Sequence, residues 1–363
     1  MKVLILSNLI SYTYNFRLEI IDAILKRGAR VVVVADNDSS DKAALLNRMG
    51  CELINVPFDG KGTDIGNELK LIRKYNVIIR NEKPDIVLTF TIKPNLYGGL
   101  ISRYRRISYI PMITGLGEVE KEGKLQKPLL FLHRIVMPKA QTVIFQNKDN
   151  FKFFKNKRIK VKKAKLVPGS GINLIEYKMM DYPSDGEEVH FGYLGRLTKA
   201  KGIEDFLGAA EILYDKGLKV KFHVAGKMDE EYVNTIKKLT DKGIVDYQGV
   251  LENTKDFYKM IHCLVLPTYH PEGISNVLLE ASASGRPAIC TNRTGCKEVI
   301  KEGFNGMYCN AKDSYNLAGV MNAFYSLNYD RKKEMGMNGR KLVEKRFSRE
   351  KVVSTYMDEI FGN

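Results

Sequence analysis

In the segment Ala29–Ala35, ARVVVVA, the residues Val31–Ala35 form an unbroken apolar run that ends at Asp36. A strand that is apolar at every position has to be covered on both faces, which is the situation of a strand in a parallel sheet flanked by helices. Similar runs occur at Val3–Ser7 and Cys263–Leu266, and segments with apolar residues three and four positions apart separate such runs. This alternation predicts an α/β fold with doubly wound, Rossmann-like parallel sheets.

The length of the chain and a break in its middle indicate two domains. At 363 residues the chain is longer than one hydrophobic core usually organises. The segment Lys165–Gly171, KLVPGSG, separates two series of strand and helix patterns, as an interdomain connection does. We predict a first domain over residues 1–170, a second over 171–346, and a C-terminal helix over 347–363 that crosses back to the first domain. The two domains are expected to face a cleft in which strand ends bind the ligand.

Positive charge is concentrated in the first half of the chain. Residues 1–172 contain 31 Lys and Arg against 15 Asp and Glu, whereas residues 173–363 contain 27 of each, so the formal net charge of +16 belongs to the first half. Within residues 103–165, basic runs flank the apolar and basic segment Lys124–Lys139, KLQKPLLFLHRIVMPK. This combination predicts contact with an anionic membrane surface. A solvated basic face without a partner remains an alternative, and no nucleic acid is expected because no nucleic-acid-binding motif is present.

The N-terminal residues and the cysteines indicate the compartment. MKVLILS has one lysine and an apolar run that ends at Ser7, which fits a first strand rather than a signal peptide. No apolar stretch reaches the roughly 18 residues of a membrane span. The five cysteines form no CxxC pair, so neither a disulfide framework nor a zinc site is indicated. We expect a cytoplasmic protein that attaches peripherally to the inner face of the cell membrane.

The segment Pro267–Gly285, PTYHPEGISNVLLEASASG, carries two acids eight residues apart, Glu272 and Glu280. It follows the strand-like run Cys263–Leu266 and continues into a helical pattern, so it predicts a strand, a loop and a helix. The start of a helix offers free N–H groups and a partial positive charge to an anionic or hydroxyl-rich ligand. The residues expected to present these groups are Gly273, Ile274 and Ser275. The alternative is that Glu272 stabilises the helix start and that Glu280 is an exposed residue of its face.

Basic residues follow the first predicted strand of the second half. Gly195, Arg196 and Leu197 come directly after this strand, and Lys201 and Gly202 open the next helix. A guanidinium fork and an ammonium group at such a place can bind a diphosphate. Gly226 and Val250 follow the next two strands and are candidates to line a base pocket, although simple turns would also place them there.

The loops of the first half supply further candidates. Lys93 and Asn95 follow one predicted strand, and Thr114 and Gly115 in the sequence TGLG follow another. Arg17, at the start of the first helix, is a third place where an anion could bind. For all of these residues, helix capping or surface charge is the alternative. The triplet Asp36-Asn37-Asp38 lies in a polar turn, and turn chemistry explains it better than a metal site.

The motifs together resemble a known family. PEGISNVLLEASASGRP matches the E-x7-E element of the retaining GT-B glycosyltransferases of family 4, and GRLTKAKG and GCKEVIKEGFNG match its other second-half elements. The similarity spans essentially the whole chain. The first-half motifs TIKPNLYGG and ITGLG resemble a subset that builds bacterial surface polysaccharides, including capsule enzymes and transferases that act on polyprenyl-diphosphate sugars.

The resemblance implies a role for several residues. Arg196 and Lys201 would hold the donor diphosphate, Glu280 would accept hydrogen bonds from the ribose, and Glu272 with the amides of 273–275 would contact the donor sugar. Many members carry a histidine in the first-half loop, whereas this chain has TGLG there, so Glu118 is the candidate for a first-half catalytic contact. The resemblance implies no cofactor and no metal, and a UDP-sugar as donor.

The function expected on this basis is transfer of a sugar, an N-acetylhexosamine, from UDP to a polyprenyl-diphosphate-linked saccharide with retention of configuration. Two alternatives remain. One keeps the fold and makes the protein a UDP-sugar epimerase or an inverting GT-B transferase. The other is a non-enzymatic basic module that binds lipid or nucleic acid.

Overall fold

The computed structural model describes residues 1–58, 64–116, 119, 123, 125–186, 188–269 and 273–362. By its internal contacts the chain divides into two compact units. Unit one consists of Met1–Ser170 together with Arg349–Asn363, and unit two consists of Gly171–Ser348.

Unit one is built on a seven-stranded sheet in which every pairing is parallel. Its strands, in chain order, are β1 (Lys2–Leu9), β2 (Arg30–Asp36), β3 (Glu52–Asn55), β4 (Ile86–Phe90), β5 (Ser108–Ile113), β6 (Val143–Phe145) and β7 (Ala164–Leu166), and their order in the sheet is β3-β2-β1-β4-β5-β6-β7. The helices between them are α1 (Ile10–Lys26), α2 (Ser40–Arg48), α3 (Ile65–Glu82), α4 (Gly99–Tyr104), α5 (Gln126–Val136) and α6 (Lys148–Asn156).

Both faces of this sheet are covered, as the apolar run of β2 predicts. Val31 and Val33 belong to a hydrophobic cluster on one face, and Val32 and Val34 belong to the cluster on the other face. The four side chains are at most 1% exposed. Alternate residues of a strand point to opposite faces, so an all-apolar strand stabilises two layers of helices at once.

Unit two is built on a six-stranded parallel sheet. Its strands are β8 (Val189–Leu194), β9 (Val220–Ala225), β10 (Val245–Tyr247), β11 (Cys263–Leu266), β12 (Ala288–Thr291) and β13 (Gly306–Cys309), in the order β10-β9-β8-β11-β12-β13. Its helices are α7 (Ile203–Asp215), α8 (Val233–Asp241), α9 (Lys255–Met260), α10 (Asn276–Ala283), α11 (Ser314–Tyr325) and α12 (Tyr329–Arg346). The predicted fold class, two doubly wound Rossmann-like domains, is therefore confirmed.

The last helix, α13 (Arg349–Phe361), belongs to unit one. Its apolar face, Val352, Tyr356, Met357 and Ile360, joins the same hydrophobic cluster as Ile20, Ile21 and Ile24 of α1. Ion pairs at both ends of the helix join it to the rest of unit one. The Arg349 guanidinium lies 2.7 Å from the Glu19 carboxylate, and the Lys163 ammonium lies 2.8 Å from the buried Glu359 carboxylate.

Within the described residues, no helix combines the length and the apolar character that crossing a bilayer requires. The five cysteines are free and buried.

Candidate active site

The loops that follow β8 and β9 are in direct backbone contact. The Gly195 N–H donates to the Ala225 carbonyl at 3.0 Å, and the Leu197 N–H donates to the Lys227 carbonyl at 2.8 Å. Gly226 has φ +135°, and a Cβ at this position would lie 1.8 Å from the Gly195 carbonyl oxygen. Only glycine fits there, because any side chain would push the two loops apart.

The basic residues predicted to bind a diphosphate lie at this carboxyl edge of the sheet. Arg196 is exposed and Lys201 is half-buried at the end of a short 3-10 turn, Lys199–Lys201. The Tyr193 hydroxyl donates to the Arg196 carbonyl at 2.9 Å and thereby holds the backbone of the loop. Gly202 has φ +79°, and a Cβ there would lie 2.2 Å from the Pro267 carbonyl oxygen, so this loop also contacts the segment after β11. A guanidinium and an ammonium group on one such loop can bind an anion.

The segment after β11 is held by the same loop. The Tyr269 N–H and the Thr268 hydroxyl both donate to the Ala200 carbonyl, at 3.1 Å each. Residues 270–272, which include the predicted catalytic Glu272, lie outside the described residues. The described chain resumes at Gly273, which is buried.

The N–H groups at the start of α10 differ from those expected. The Ser275 N–H donates to the Gly295 carbonyl at 3.0 Å, so the prediction that it is free for a ligand was wrong. Ile274 places its side chain in the hydrophobic core and is 7% exposed. The first intrahelical bond runs from the Leu279 N–H to the Ser275 carbonyl, so the donors without an intrahelical acceptor are those of residues 276–278.

Glu280 is a member of a hydrogen-bond network. Its Oε2 accepts from the Tyr258 hydroxyl at 2.9 Å and from the Thr254 hydroxyl at 3.3 Å. The Tyr177 hydroxyl lies 3.1 Å from that of Thr254 and extends the network. Burial, and secondarily the Glu280 carboxylate, raise the pKa of Tyr258 well above its ordinary value, so its hydroxyl stays protonated and remains a donor. The carboxylate is half-buried, and two donors of its own unit fix its orientation.

The loop after β10 completes this edge. The Gly226 N–H donates to the Gly249 carbonyl at 2.7 Å, and the Tyr247 hydroxyl donates to the Gly226 carbonyl at 3.0 Å. Val250 is 69% exposed, so its side chain is accessible to a ligand. The structure thus brings the loops after β8, β9, β10 and β11 together at one edge, where ligands of parallel α/β sheets bind.

In unit one, two of the predicted anion or acceptor residues have structural roles. Arg17 is 5% exposed and lies 4.4 Å above the Phe90 ring, and it donates to the Phe16 carbonyl at 2.8 Å and the Ser170 hydroxyl at 3.1 Å. Burial lowers the pKa of Arg17 to about 10. The expectation that Arg17 is open to an anion is therefore not met within this unit.

Asn95 has a structural role as well. It is 2% exposed, accepts from the Thr89 hydroxyl at 2.7 Å and donates to the Met112 carbonyl at 2.8 Å, so it joins β4 to β5. The prediction that its amide is available to an acceptor was wrong. Lys93 is paired with Glu68 at 2.7 Å. Thr114 and Gly115 are half-buried directly after β5, and Glu118 lies outside the described residues.

The two carboxylates of the triplet Asp36-Asn37-Asp38 accept hydrogen bonds from the backbone of other parts of the chain. Asp38 accepts from the Ser11 N–H at 2.9 Å, and Asp36 accepts from the Phe58 N–H at 3.1 Å. Among the residues that the structure describes, no group of three or more His, Cys, Asp and Glu side chains is arranged to hold a metal ion.

Asn8, which the motifs did not indicate, and Thr91, the first residue of the motif TIKPNLYGG, lie where the strand order of unit one reverses. β1 and β4 are neighbours there, and ligands of doubly wound sheets bind at such a point. The Thr91 hydroxyl donates to the Asn8 side-chain oxygen at 2.6 Å across it. Thr91 has φ +73°, a conformation that strains a β-branched residue by about 1–3 kcal/mol. Only the position of Asn8 at a strand end could have identified it from the sequence.

Comparison with known proteins assigns each half of the chain to a glycosyltransferase family. Residues 2–147 match the family described as Glycosyl transferase 4-like, and residues 175–342 match Glycosyl transferases group 1. The chain is 24% identical over 335 residues to the N,N'-diacetylbacillosaminyl-diphospho-undecaprenol alpha-1,3-N-acetylgalactosaminyltransferase of Campylobacter jejuni, with 88% of each chain covered. It is 28% identical over 299 residues to the capsular polysaccharide biosynthesis glycosyltransferase CapM of Staphylococcus aureus, with 78% of each covered.

The fold is similar to that of Anabaena HepE, whose crystal structure contains UDP and glucose. The TM-score is 0.80 at 18% identity, and all of both chains is covered. The two parallel-sheet domains are thus those of the GT-B class. The chain belongs to the glycosyltransferases with a glycosyl transferase 4-like first domain and a group 1 second domain. The resemblance predicted from the motifs is confirmed.

The structural role of Asn95 can be tested by substitution. Asn95→Ala removes the hydrogen bonds to the buried Thr89 hydroxyl and to the Met112 carbonyl, so we expect the free energy of unfolding to fall by about 2–4 kcal/mol, as measured by urea denaturation. Asn338→Ala, which removes one exposed hydrogen bond to the Phe304 carbonyl, should change it by no more than about 0.5 kcal/mol. If Asn95→Ala is as stable as the unchanged protein, the structural role of Asn95 is refuted and Asn95 is again a candidate ligand contact.

Proposed function

We propose that this protein is a retaining glycosyltransferase of family 4 that moves an N-acetylhexosamine from a UDP-sugar to a polyprenyl-diphosphate-linked saccharide in the assembly of bacterial surface polysaccharide. The observation that carries the proposal is the loop after β8, which presents Arg196 and Lys201 beside close-packed glycine backbone. The name of the Campylobacter relative, an N-acetylgalactosaminyltransferase acting on a diphospho-undecaprenol-linked sugar, supports the acceptor. UDP in the HepE crystals supports the donor.

The proposed reaction needs little covalent participation by the protein. The bond between the sugar C1 and the UDP oxygen breaks, and the acceptor hydroxyl oxygen bonds to C1 on the face that UDP leaves. The hydroxyl proton passes to a phosphate oxygen of the departing UDP. Negative charge grows on the diphosphate during this step, and the Arg196 guanidinium and Lys201 ammonium lower the barrier by stabilising it without a metal ion. The donor sugar would contact Glu272 and the residues that follow it.

The two cations can be tested by kinetics. We expect Arg196→Ala and Lys201→Ala each to lower kcat/KM by about 10²–10³-fold, because each removes a positive group from the developing charge. Glu272→Ala should also abolish most of the activity. The measurement is UDP release from UDP-N-acetylhexosamines with a lipid-linked saccharide acceptor, and NMR of the product gives the anomeric configuration.

Lys199 provides the matched control for this experiment. It lies on the same turn, is 68% exposed and pairs with Glu204 at 3.2 Å, an exposed contact that contributes little. Lys199→Ala should keep nearly full activity. Equal activity in Arg196→Ala, Lys201→Ala and Lys199→Ala would refute the site. Turnover of the UDP-sugar without any acceptor would indicate an epimerase, and an inverted product would exclude the retaining mechanism.

The network around Glu280 leads to a second expectation, on the premise that this carboxylate binds the ribose of the donor. Tyr258→Phe keeps the buried ring but removes one of the donors that orient Glu280. We expect the Kd for UDP to rise about three- to tenfold, the effect of one such hydrogen bond, while kcat at saturating donor stays nearly unchanged. Calorimetric titration with UDP and steady-state kinetics measure the two quantities.

Inorganic pyrophosphate separates a ribose effect from a general one, because it has no ribose and its affinity should not change in Tyr258→Phe. Tyr308→Phe is the matched control, since its hydroxyl donates to the Ile300 carbonyl at 2.6 Å in the same unit. If Tyr258→Phe weakens pyrophosphate as much as UDP, Tyr258 does not act through Glu280 on the ribose.

We further propose that unit one attaches peripherally to the cytoplasmic face of an anionic membrane through residues 103–165. In this region apolar side chains are exposed among basic ones. Phe131 of α5 is 61% exposed and Tyr104 is 78% exposed. Lys127 and Arg134 of α5 are exposed beside Phe131. Such a surface gains from both burial of apolar area and attraction to anionic lipid.

The membrane contact can be tested by vesicle flotation. Phe131→Asp should reduce the fraction bound to vesicles with anionic lipid severalfold, because a carboxylate would replace a buried ring at the interface. Phe304→Asp, at a phenylalanine of unit two that is 42% exposed, is the control and should bind as the unchanged protein does. Binding to neutral vesicles that equals binding to anionic ones would contradict the proposal.

A further inference from the structure

Unit one contains a cavity of about 390 Å³ at the carboxyl edge of its sheet. It lies between the ends of β2, β3 and β4 and the first turns of α3. Its lining includes Asp36 at the end of β2, Phe58 and Lys93 from the segments after β3 and β4, and Lys70, Leu71 and Lys74 of α3. The volume is in the range of small-molecule sites, and the carboxyl edge of a doubly wound sheet is where such sites occur.

Three of the charged groups at this cavity already have partners. Asp36 accepts from the Phe58 N–H at 3.1 Å, which fixes the backbone at the aromatic residue. Lys93 pairs with Glu68 at 2.7 Å, and both side chains are less than one-fifth exposed. The Lys93 ammonium also lies 5.4 Å from the centre of the Phe58 ring. These contacts fix one wall of the cavity, whose three charged groups carry a formal net charge of −1.

Lys70 and Lys74 are different. They stand four residues apart on α3, so they project from the same face of the helix, and both are exposed. Within the part of the chain that the structure describes, neither has a recorded ion pair. Two like charges at this spacing repel each other and destabilise the helix slightly. An anion bound between them would remove that repulsion.

Apart from Asn67, the rest of the lining is apolar. Phe58 and Leu71 belong to, or pack against, the hydrophobic cluster under the sheet, and Leu71 is buried. A ligand that fits both halves of the cavity therefore carries an anionic group joined directly to an apolar group. A phosphate or diphosphate ester of an apolar alcohol has this composition, whereas a free sugar lacks the charge and a free phosphate lacks the apolar part.

On the basis of the proposed function, we propose that this cavity binds the prenyl diphosphate part of the lipid-linked acceptor. Lys70 and Lys74 would bind the diphosphate, and Phe58 and Leu71 would contact the first isoprene unit. This assignment places the acceptor's diphosphate at α3 rather than at Lys93, whose ammonium is paired with Glu68.

The test uses geranyl diphosphate, a short soluble prenyl diphosphate, in calorimetric titrations of the full chain. We expect Lys70→Gln/Lys74→Gln to weaken its binding by about tenfold or more, since two charged contacts are lost. Phe58→Ala should reduce the affinity for geranyl diphosphate to that for inorganic pyrophosphate, while leaving the affinity for pyrophosphate itself unchanged. The control Lys238→Gln/Lys242→Gln removes two exposed lysines at the same spacing in unit two and should bind as the unchanged protein does.

The inference is overturned if the Lys70→Gln/Lys74→Gln protein binds geranyl diphosphate normally. It is also overturned if N-acetylglucosamine 1-phosphate binds more tightly than geranyl diphosphate, which would indicate a sugar phosphate site. A titration with UDP separates this failure from failure of the proposed function. If the double variant binds UDP but the unchanged protein does not bind geranyl diphosphate, only the cavity assignment is contradicted. If the unchanged protein does not bind UDP, the proposed function is contradicted.

Discussion

The structure depends on strands that are apolar on both faces. Such a strand is stable only between two layers of helices, and in each unit this requirement produces a parallel sheet. The loops that lead from a strand into the following helix then lie at the carboxyl edge of that sheet. The loops then have to fit beside one another. In unit two, Gly226 lets the loops after β8 and β9 touch through their backbones, and Gly202 does the same between the β8 loop and the segment after β11. The exposed Arg196 and half-buried Lys201 stand on a framework that this contact holds.

Much of the fold could be predicted from the sequence, because buried strands have a strong local signal. The run at Val31–Val34 is an example, since each side chain is buried and each is apolar. β7 has no such signal. Its three residues, Ala164–Leu166, are all exposed at the edge of the sheet, so they form no apolar pattern that could identify a strand in the sequence. The segment after β4 is not one regular α-helix, because a π-type turn at Pro94–Gly98 precedes α4. Gly98 packs closely against Leu6 of β1, a contact that depends on a strand far away in the sequence.

The candidate site was predictable in part. Strand ends with glycine and basic residues identified Gly195 and Arg196, since both the strand and the loop are local patterns. Hydrogen-bond partners are not local. The Asn95 amide is hydrogen-bonded to Thr89 and Met112, and the Ser275 N–H donates to the Gly295 carbonyl. Neither pairing can be inferred from the residues themselves. The same is true of the two hydroxyls that hold Glu280, which come from around α9.

The position of α13 has a consequence for biosynthesis. This helix supplies Val352, Tyr356 and Ile360 to the core of unit one, although the whole of unit two is translated before it. While the nascent chain emerges from the ribosome, the part of α1 that α13 covers therefore stays exposed until the final helix has been made. Unit two has all of its own strands and helices by then and can fold first, so the order of completion is the reverse of the order of synthesis.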